Sequence, residues 1–472
     1  MPKDPACDDA RLDERGPCLL GLLNLSWLPN KKRLARWLDR RGDGAGRPGA
    51  PAGESLAQRA RRGQAAPAGV WFLSGGAGVT MLTREDVDFM RMWLRELAGM
   101  DRSQLERLRE EIRGLRDEVR PIRPRTTTTV ALVAADAGES LIAFDPHLFY
   151  AMRVVDSSGQ TLFRDVLTHG MDVEALNRRH FDENGAPRTP LGRLMADLGV
   201  RTLWELSHYI PKPQVPMDRR NRRWLQDYRD LGEWAVLYDF LTDSRRIFAA
   251  DTLVVRDGFL RSKLFAQHPQ NGYLFARMWE RIRDAVERHR EAGRRIYVVG
   301  VAKRSKVLDR YRLAMFLEGV MAQPGPCYVR IPGELERRVY RWEEFAPGEE
   351  EEEDEEFRKF VAGRLFLVRF GRSPYDPIWA VDVWEEHVRR GEVDEIFGYL
   401  LGDAQAGFPR PFYPLCLQQA HERAQLTGLD AQLLQDLVLE AVREQLPPER
   451  QPALEAFRIL AGSGKEGAYG LA

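Results

Sequence analysis

LVAADAG at residues 132–138 and LVVRDG at residues 253–258 decide how this chain is read. Each is a short apolar, partly β-branched run that stops at an aspartate followed closely by glycine. Such runs predict strands, here Thr127–Ala134 and Thr252–Val255, with the chain turning after Asp136 and Asp257. A strand ending this way sets a carboxylate at the edge of a sheet, beside backbone that can bend sharply. Taken singly, either is an ordinary turn, since Asp and Gly favour turns for local hydrogen-bonding reasons. Taken together, they put two carboxylates at comparable places in one sheet.

Working outward, Ser140–Phe144 and Tyr150–Val155 predict two further short strands, with turns at Asp145-Pro146 and Asp156–Gly159. That makes an antiparallel meander. Gln160–Leu241 reads as mostly helix and loop, Leu274–Ala292 as a helix and Arg295–Val301 as a strand. Arg364–Phe370 and Ile378–Val383 are two more strands. Tyr413–Leu446 holds two helices divided near Gly428, the second apolar at Leu433, Leu434, Leu437, Val438, Ala441 and Val442. Upstream, Thr83 with Glu85 and Asp86 opens a helix that runs to about Val119. Its apolar residues, Met90, Trp93, Leu94, Leu97, Leu105, Leu108, Ile112 and Leu115, are spaced for packing or dimerisation.

The fold class is therefore α/β. A meander, helix, strand and helix bearing these aspartates resembles the ribonuclease-H-like nucleases: a mixed sheet core flanked by helices. The elaborations here are an N-terminal helical extension and a helical insertion. Such enzymes need carboxylates from separate elements to converge on divalent ions. Hard oxygen ligands suit Mg²⁺ or Mn²⁺, and two ions roughly 3.5–4 Å apart stabilise both the attacking and the leaving oxygen of a phosphodiester. The intervening helix offers Glu233 in LGEWAVLYDFL, bordered by Trp234, Leu237 and Leu241, with Asp230 and Asp239 as rivals. In FYPLCLQQAHERAQLTG, His421 lies two helical turns after Tyr413, a spacing that sets both on roughly one face. An imidazole there is a metal or water ligand, or else a capping or core histidine; a phenol can orient a phosphate.

Six stretches, in order, are similar to the NurA nuclease family: VAADAGESLIAFDP, GEWAVLYDFL, DTLVVRDGFLRSKLF, IYVVGVAKRSK, GRLFLVRF with IWAVDV, and YPLCLQQAHERAQLTG. They span roughly Thr127–Leu446. The resemblance implies a deoxyribonuclease dependent on Mn²⁺ (or Mg²⁺), with two ions, that resects 5′ ends and cleaves single strands. It also implies a homodimer docked to a hexameric HerA-like ATPase. Carried over by position, the ligands are Asp136, Glu233, Asp257 and His421, with Tyr413 as a further catalytic residue. Lys303 matches the lysine of the G-x-x-K strand end and is either a phosphate contact or an exposed loop lysine. The family's Asp-Gly-Ser is here Asp136-Ala137-Gly138-Glu139-Ser140. Arg261, Lys263, Lys303, Arg304 and Lys306, just after two strand ends, form a candidate nucleic-acid groove or a solvated face.

Domain organisation follows from composition. Residues 1–82 are a low-complexity, largely disordered extension in which Leu19–Leu38, with Trp27 and Trp37, is a sticky tail or an anchor. Residues 83–125 form a helical arm. Residues 126–460 form the nuclease-like domain, with a helical insertion at about 160–230 and an acidic loop at about 347–357; a flexible tail, 461–472, ends the chain. The run Glu349–Glu356 is a solvated loop or a contact for a basic partner. Lys+Arg and Asp+Glu both number 71, so no global field marks a histone-like binder. The four cysteines form no CxxC, which excludes a zinc ribbon. No apolar run is long enough to span a bilayer, and the reading is cytoplasmic. No GxxxxGK[ST] occurs, so ATP hydrolysis falls to a partner. Two other readings stand beside the nuclease: a non-catalytic dimeric adaptor coupling DNA to an ATPase, and a related enzyme acting on RNA or transposon ends.

Overall fold

The computed structural model describes residues 83–125, 131–144, 147–243, 251–339, 357–452 and 454. The 1–82 extension, the Asp145-Pro146 turn, the acidic run Glu349–Glu356 and the tail 461–472 lie outside the described residues. The chain divides into two units, Met1–Arg95 and Glu96–Ala472.

Helix α1, Arg84–Ile112, begins in the first unit. Thr83 and Asp86 close a reciprocal cap, Asp86 N donating to Thr83 Oγ1 at 3.1 Å and Thr83 N to Asp86 Oδ2 at 2.9 Å. Val87, Phe89, Met90, Met92 and Leu94 in this first part are exposed. In the second unit the same helix buries Ile112 and, past its end, Leu115.

Among the described residues, nine strands form one mixed sheet in the order β1-β9-β10-β11-β8-β5-β2-β3-β4. They are β1 (Arg120–Pro121), β2 (Ala131–Phe144), β3 (His147–Asp156), β4 (Thr161–Thr168), β5 (Thr252–Asp257), β8 (Ile296–Ala302), β9 (Cys327–Arg330), β10 (Gly363–Arg369) and β11 (Trp379–Trp384). A separate ribbon pairs β6 (Gln267–His268) with β7 (Gly272–Tyr273). The centre, β2-β5-β8, is parallel, and the strands on both flanks run antiparallel. The longer helices after α1 are α2 (Trp224–Thr242), α3 (Leu274–Glu291), α4 (Lys306–Glu318), α5 (Val393–Gln405), α6 (Leu415–Ala424) and α7 (Gly428–Gln445). A mixed sheet flanked by helices is the architecture expected from the sequence.

Side chains alternate across a strand, so each face builds its own core. On one face Met152, Val154, Val254 and Val298 pack with Tyr228, Trp234 and Leu241 of α2 and with Met278 and Ile282 of α3. On the other, Ala134, Leu253, Val255, Val299 and Val301 pack with Phe397 and Leu401 of α5 and with Leu417 and Ala420 of α6. A third cluster joins Ile112 and Leu115 to Val307, Tyr311 and Met315 of α4 and to Val329 and Leu367.

The structure corrects two local expectations and places the apolar residues of α7. β2 does not stop at Asp136-Ala137-Gly138; it runs unbroken to Phe144, paired with β3 throughout. Gly138 there serves a close approach rather than a turn, as the site makes clear. Thr161–Thr168, within the stretch read as helix and loop, is the edge strand β4, with short helices only after it. The apolar residues of α7 stay largely at the surface: no residue of that helix is buried, and Leu429, Leu433 and Leu437 are exposed.

Candidate metal centre

β2 and β5 are parallel neighbours whose pairing ends with Ala135 opposite Arg256. The next residue on each strand is Asp136 and Asp257, so the two carboxylates stand side by side where the strands part. Strand alternation fixes their face. Asp136 follows Ala134, and Asp257 follows Leu253 and Val255, all on the side covered by α5 and α6. After Asp257 the chain turns at Gly258, whose φ of +101° favours glycine.

Helix α6 brings the third group. His421 Nδ1 lies 2.6 Å from Asp136 Oδ2. One donor atom from each of Asp136, Asp257 and His421 falls within 4.8 Å of the others, and this is the one such group among the described residues. The other ring nitrogen, Nε2, lies 2.9 Å from the Gln425 amide. Tyr413 sits before α6 rather than on it, because the helix starts at Leu415 after Pro414. It still reaches the group: its hydroxyl lies 3.3 Å from Asp257 Oδ1 and 3.4 Å from Val301 O. The Trp379 ring packs 4.7 Å from the buried Tyr413 ring. Burial, reinforced by Asp257, holds the Tyr413 hydroxyl well above its usual range, so it stays a donor.

The local charge is unevenly compensated. Lys303, at the end of β8, pairs with Asp257 Oδ2. Asp136 is buried, and that burial raises its pKa, the neighbouring Asp257 adding to the effect and Lys303 and His421 opposing it. Two carboxylates and one imidazole around a small gap, with a buried acid left short of positive charge, fit a hard or borderline divalent cation such as Mn²⁺ or Mg²⁺.

Glu233 is not in this group. It projects from α2, the helix on the opposite face, and meets Arg256, whose side chain points to that same face as Val254 does. The Arg256 guanidinium lies 3.5 Å from Glu233 and 4.1 Å over the Trp234 ring. Burial pushes the Glu233 carboxyl up to about 8; Arg256 lowers it, and Asp230 and Asp136 raise it. Its rivals are engaged elsewhere, Asp230 with Arg229 at 2.7 Å and Asp239 with Arg193.

The basic set divides. Arg261 is buried and ion-paired with Asp382 and Glu336, each at 2.6 Å, so it offers no charge to a groove. Lys263 is half-buried, 5.7 Å from the Phe360 ring. Lys303 lies at the metal group, with Arg304 and Lys306 exposed just beyond it at the start of α4, which Ser305 caps.

Two residues outside the predicted site set shape the site. A Cβ on Gly138 would fall 1.7 Å from Ala424 O, so only glycine admits the end of α6. Arg153, opposite Gly138 in register, donates to the carbonyls of Arg423, Ala424 and Gln425 at 2.8–3.1 Å. A glycine inside a strand is itself a signal of close approach. Arg153, some 270 residues from its partners, left no signal in the sequence.

No family model matches the sequence, and no curated protein matches it. Among solved structures the chain is similar to the NurA nuclease from Sulfolobus solfataricus, at 13% identity and a TM-score of 0.36, over 78% of this chain and 99% of that one. NurA bound to dAMP and manganese matches at 13% identity and a TM-score of 0.32, over 77% and 99% of the two chains. Endonuclease V from Streptomyces avermitilis matches at 13% identity and a TM-score of 0.22, over 71% and 94%. The side-chain cluster, not these likenesses, carries the functional reading. No described helix is long and apolar enough to cross a membrane.

Proposed function

We propose that this chain is a metal-dependent DNA nuclease that hydrolyses phosphodiesters at the Asp136, Asp257 and His421 group. The observation that carries the reading is the convergence of those three donors to within 4.8 Å of one another, from β2, β5 and α6. An adaptor has no use for that convergence.

Asp136, Asp257 and His421 would hold Mn²⁺ or Mg²⁺. Bound there, the ion supplies Lewis-acid polarisation of a phosphoryl oxygen and an acidified water. The protein's own groups frame that chemistry. Tyr413 donates to Asp257 and fixes its rotamer. Lys303 places a positive charge beside the same carboxylate, where a non-bridging phosphate oxygen can exchange into its hydrogen bonds. Arg304 and Lys306 extend that charge along the start of α4, which suits a sugar-phosphate backbone read without sequence. If a second ion binds, as the sequence resemblance implies, Glu233 would have to leave Arg256 to help hold it.

The resemblance extends the proposal to 5′-to-3′ resection and single-strand cleavage, to a homodimer, and to a HerA-like hexameric ATPase in repair or phage defence. The exposed Leu429, Leu433 and Leu437 of α7 supply apolar surface for a subunit contact.

The test is cleavage of end-labelled linear and single-stranded DNA with Mn²⁺, Mg²⁺ or EDTA, for wild type and Asp257→Ala. Metal-dependent cutting that vanishes in the variant is expected, with or without an added ATPase. Cutting that persists in EDTA or in the variant overturns the reading.

A further inference from the structure

We propose that the cross-strand pair Gly138 and Arg153 is a socket for the C-terminal end of α6, and that Arg153 is the positioning residue that makes His421 a metal ligand. The inference rests on the metal-centre reading above and adds to it the device that aims the histidine.

The geometry is specific. A helix end leaves its last carbonyls without intrahelical partners. At α6 those carbonyls point at the sheet rather than at solvent. Gly138 and Arg153 are direct partners across β2 and β3, and both face α6. On one strand the missing side chain at Gly138 opens the space that Ala424 O enters. On the other, the guanidinium gathers three successive carbonyls: Nε to Ala424 at 3.1 Å, and Nη2 to Arg423 at 2.8 Å and to Gln425 at 2.9 Å. Arg423 returns the contact by donating to Ser157 O in the turn after β3. A planar fork suits this work, because its donors are fixed relative to one another, whereas an ammonium satisfies fewer acceptors at once.

His421 is three residues before Ala424, less than one helical turn, so whatever fixes the helix end fixes the imidazole. Its own restraints are few. The side chain is 43% exposed, and its ring is held by Asp136, itself a proposed ligand, and by Gln425, whose backbone carbonyl is in the socket. Asp136 and Asp257 need no such help, being set by strand pairing. Loss of Arg153 therefore removes the nitrogen ligand while leaving the two carboxylates.

The experiment loads the full chain with Mn²⁺ and records two quantities, the affinity by calorimetric titration and the ¹⁴N coupling to Mn²⁺ by pulsed electron paramagnetic resonance. Wild type, His421→Ala, Arg153→Ala, Arg153→Gln and Arg153→Lys are compared, each first checked for a cooperative thermal transition. Wild type is expected to show imidazole coupling that His421→Ala abolishes. Arg153→Ala and Arg153→Gln should weaken Mn²⁺ about 10–100-fold, the usual range for a group that orients a ligand, and should lose most of the coupling. Arg153→Lys should recover part of both. If Arg153→Ala fails to fold, Arg153→Gln, which keeps a donor and most of the bulk, decides. A folded Arg153 variant with wild-type affinity and coupling overturns the proposal. Mn²⁺ binding by wild type without nitrogen coupling overturns it too, while sparing the carboxylates. No Mn²⁺ binding by wild type sinks the metal centre itself.

Discussion

Two clusters of charge flank the loop that follows β5, and they are built to opposite ends. Arg261, Asp382 and Glu336 form a closed set: the guanidinium lies between the two acids, all three are buried, and Leu260 N adds a bond to Asp382 at 3.0 Å. Asp136, Asp257 and His421 form an open one, in which Lys303 answers one carboxylate and the imidazole stays half-exposed. Both are arrays of charged side chains brought together from separate elements, and residue type alone does not tell them apart. The difference lies in compensation. In the first set one guanidinium pairs with both acids, although Glu336 Oε1 has no partner, whereas the second brings three donor atoms within 4.8 Å of one another.

That contrast can be broken from either side. The largest effect belongs to the open set: Asp136→Asn or Asp257→Asn should reduce metal-dependent cleavage beyond the roughly 10–100-fold loss typical of outer-shell partners, with the fold intact by circular dichroism. Cleavage near the wild-type rate would remove the open set's special status. Next comes the closed set. Arg261→Ala leaves two buried acids without their cation and should cost about 3–5 kcal/mol in denaturant unfolding, since breaking a buried pair strands a charge. If that variant unfolds normally but binds DNA poorly, Arg261 is a groove residue after all.

Gly138→Ala ranks third. The added methyl meets Ala424 O, and the shift it forces should cost about 1–3 kcal/mol, as overpacking does. Thermal unfolding measures this, and weaker Mn²⁺ binding should accompany it. The last effect is pH-dependent and separates the two faces of the sheet. The Glu233 carboxyl is raised from 4.5 to about 8 in the fold. Between those values the native state holds a proton that the unfolded chain releases, so this group's contribution to stability falls as pH rises through that window. In metal-free protein, Glu233→Gln should flatten the fall of melting temperature between about pH 4.5 and 8; an unchanged profile would show that Glu233 is not held this way.

Much of this was legible in the chain. Apolar runs ending at Asp136 and Asp257 located the central strands, and strand parity would have put both carboxylates on one face. The same parity sets Arg256 on the other face, with Glu233, and explains why the helix acid stands apart from the group. Periodicity did not distinguish Gly138 in a turn from Gly138 in a strand, because glycine marks both. β4 escaped because its exposed edge is poor in unbroken apolar residues. Arg261 read as a groove cation, since its burial depends on Asp382 and Glu336, 121 and 75 residues away. Arg153 was invisible for the same reason: the carbonyls it holds are defined by where α6 ends in space.

Mn²⁺ titration of metal-free protein tests the central claim most directly, with wild type beside the double variant Asp136→Asn, His421→Ala. The metal-centre reading predicts saturable binding by wild type that chelator reverses and the double variant lacks. Equal binding by both proteins, or none by wild type, would contradict it.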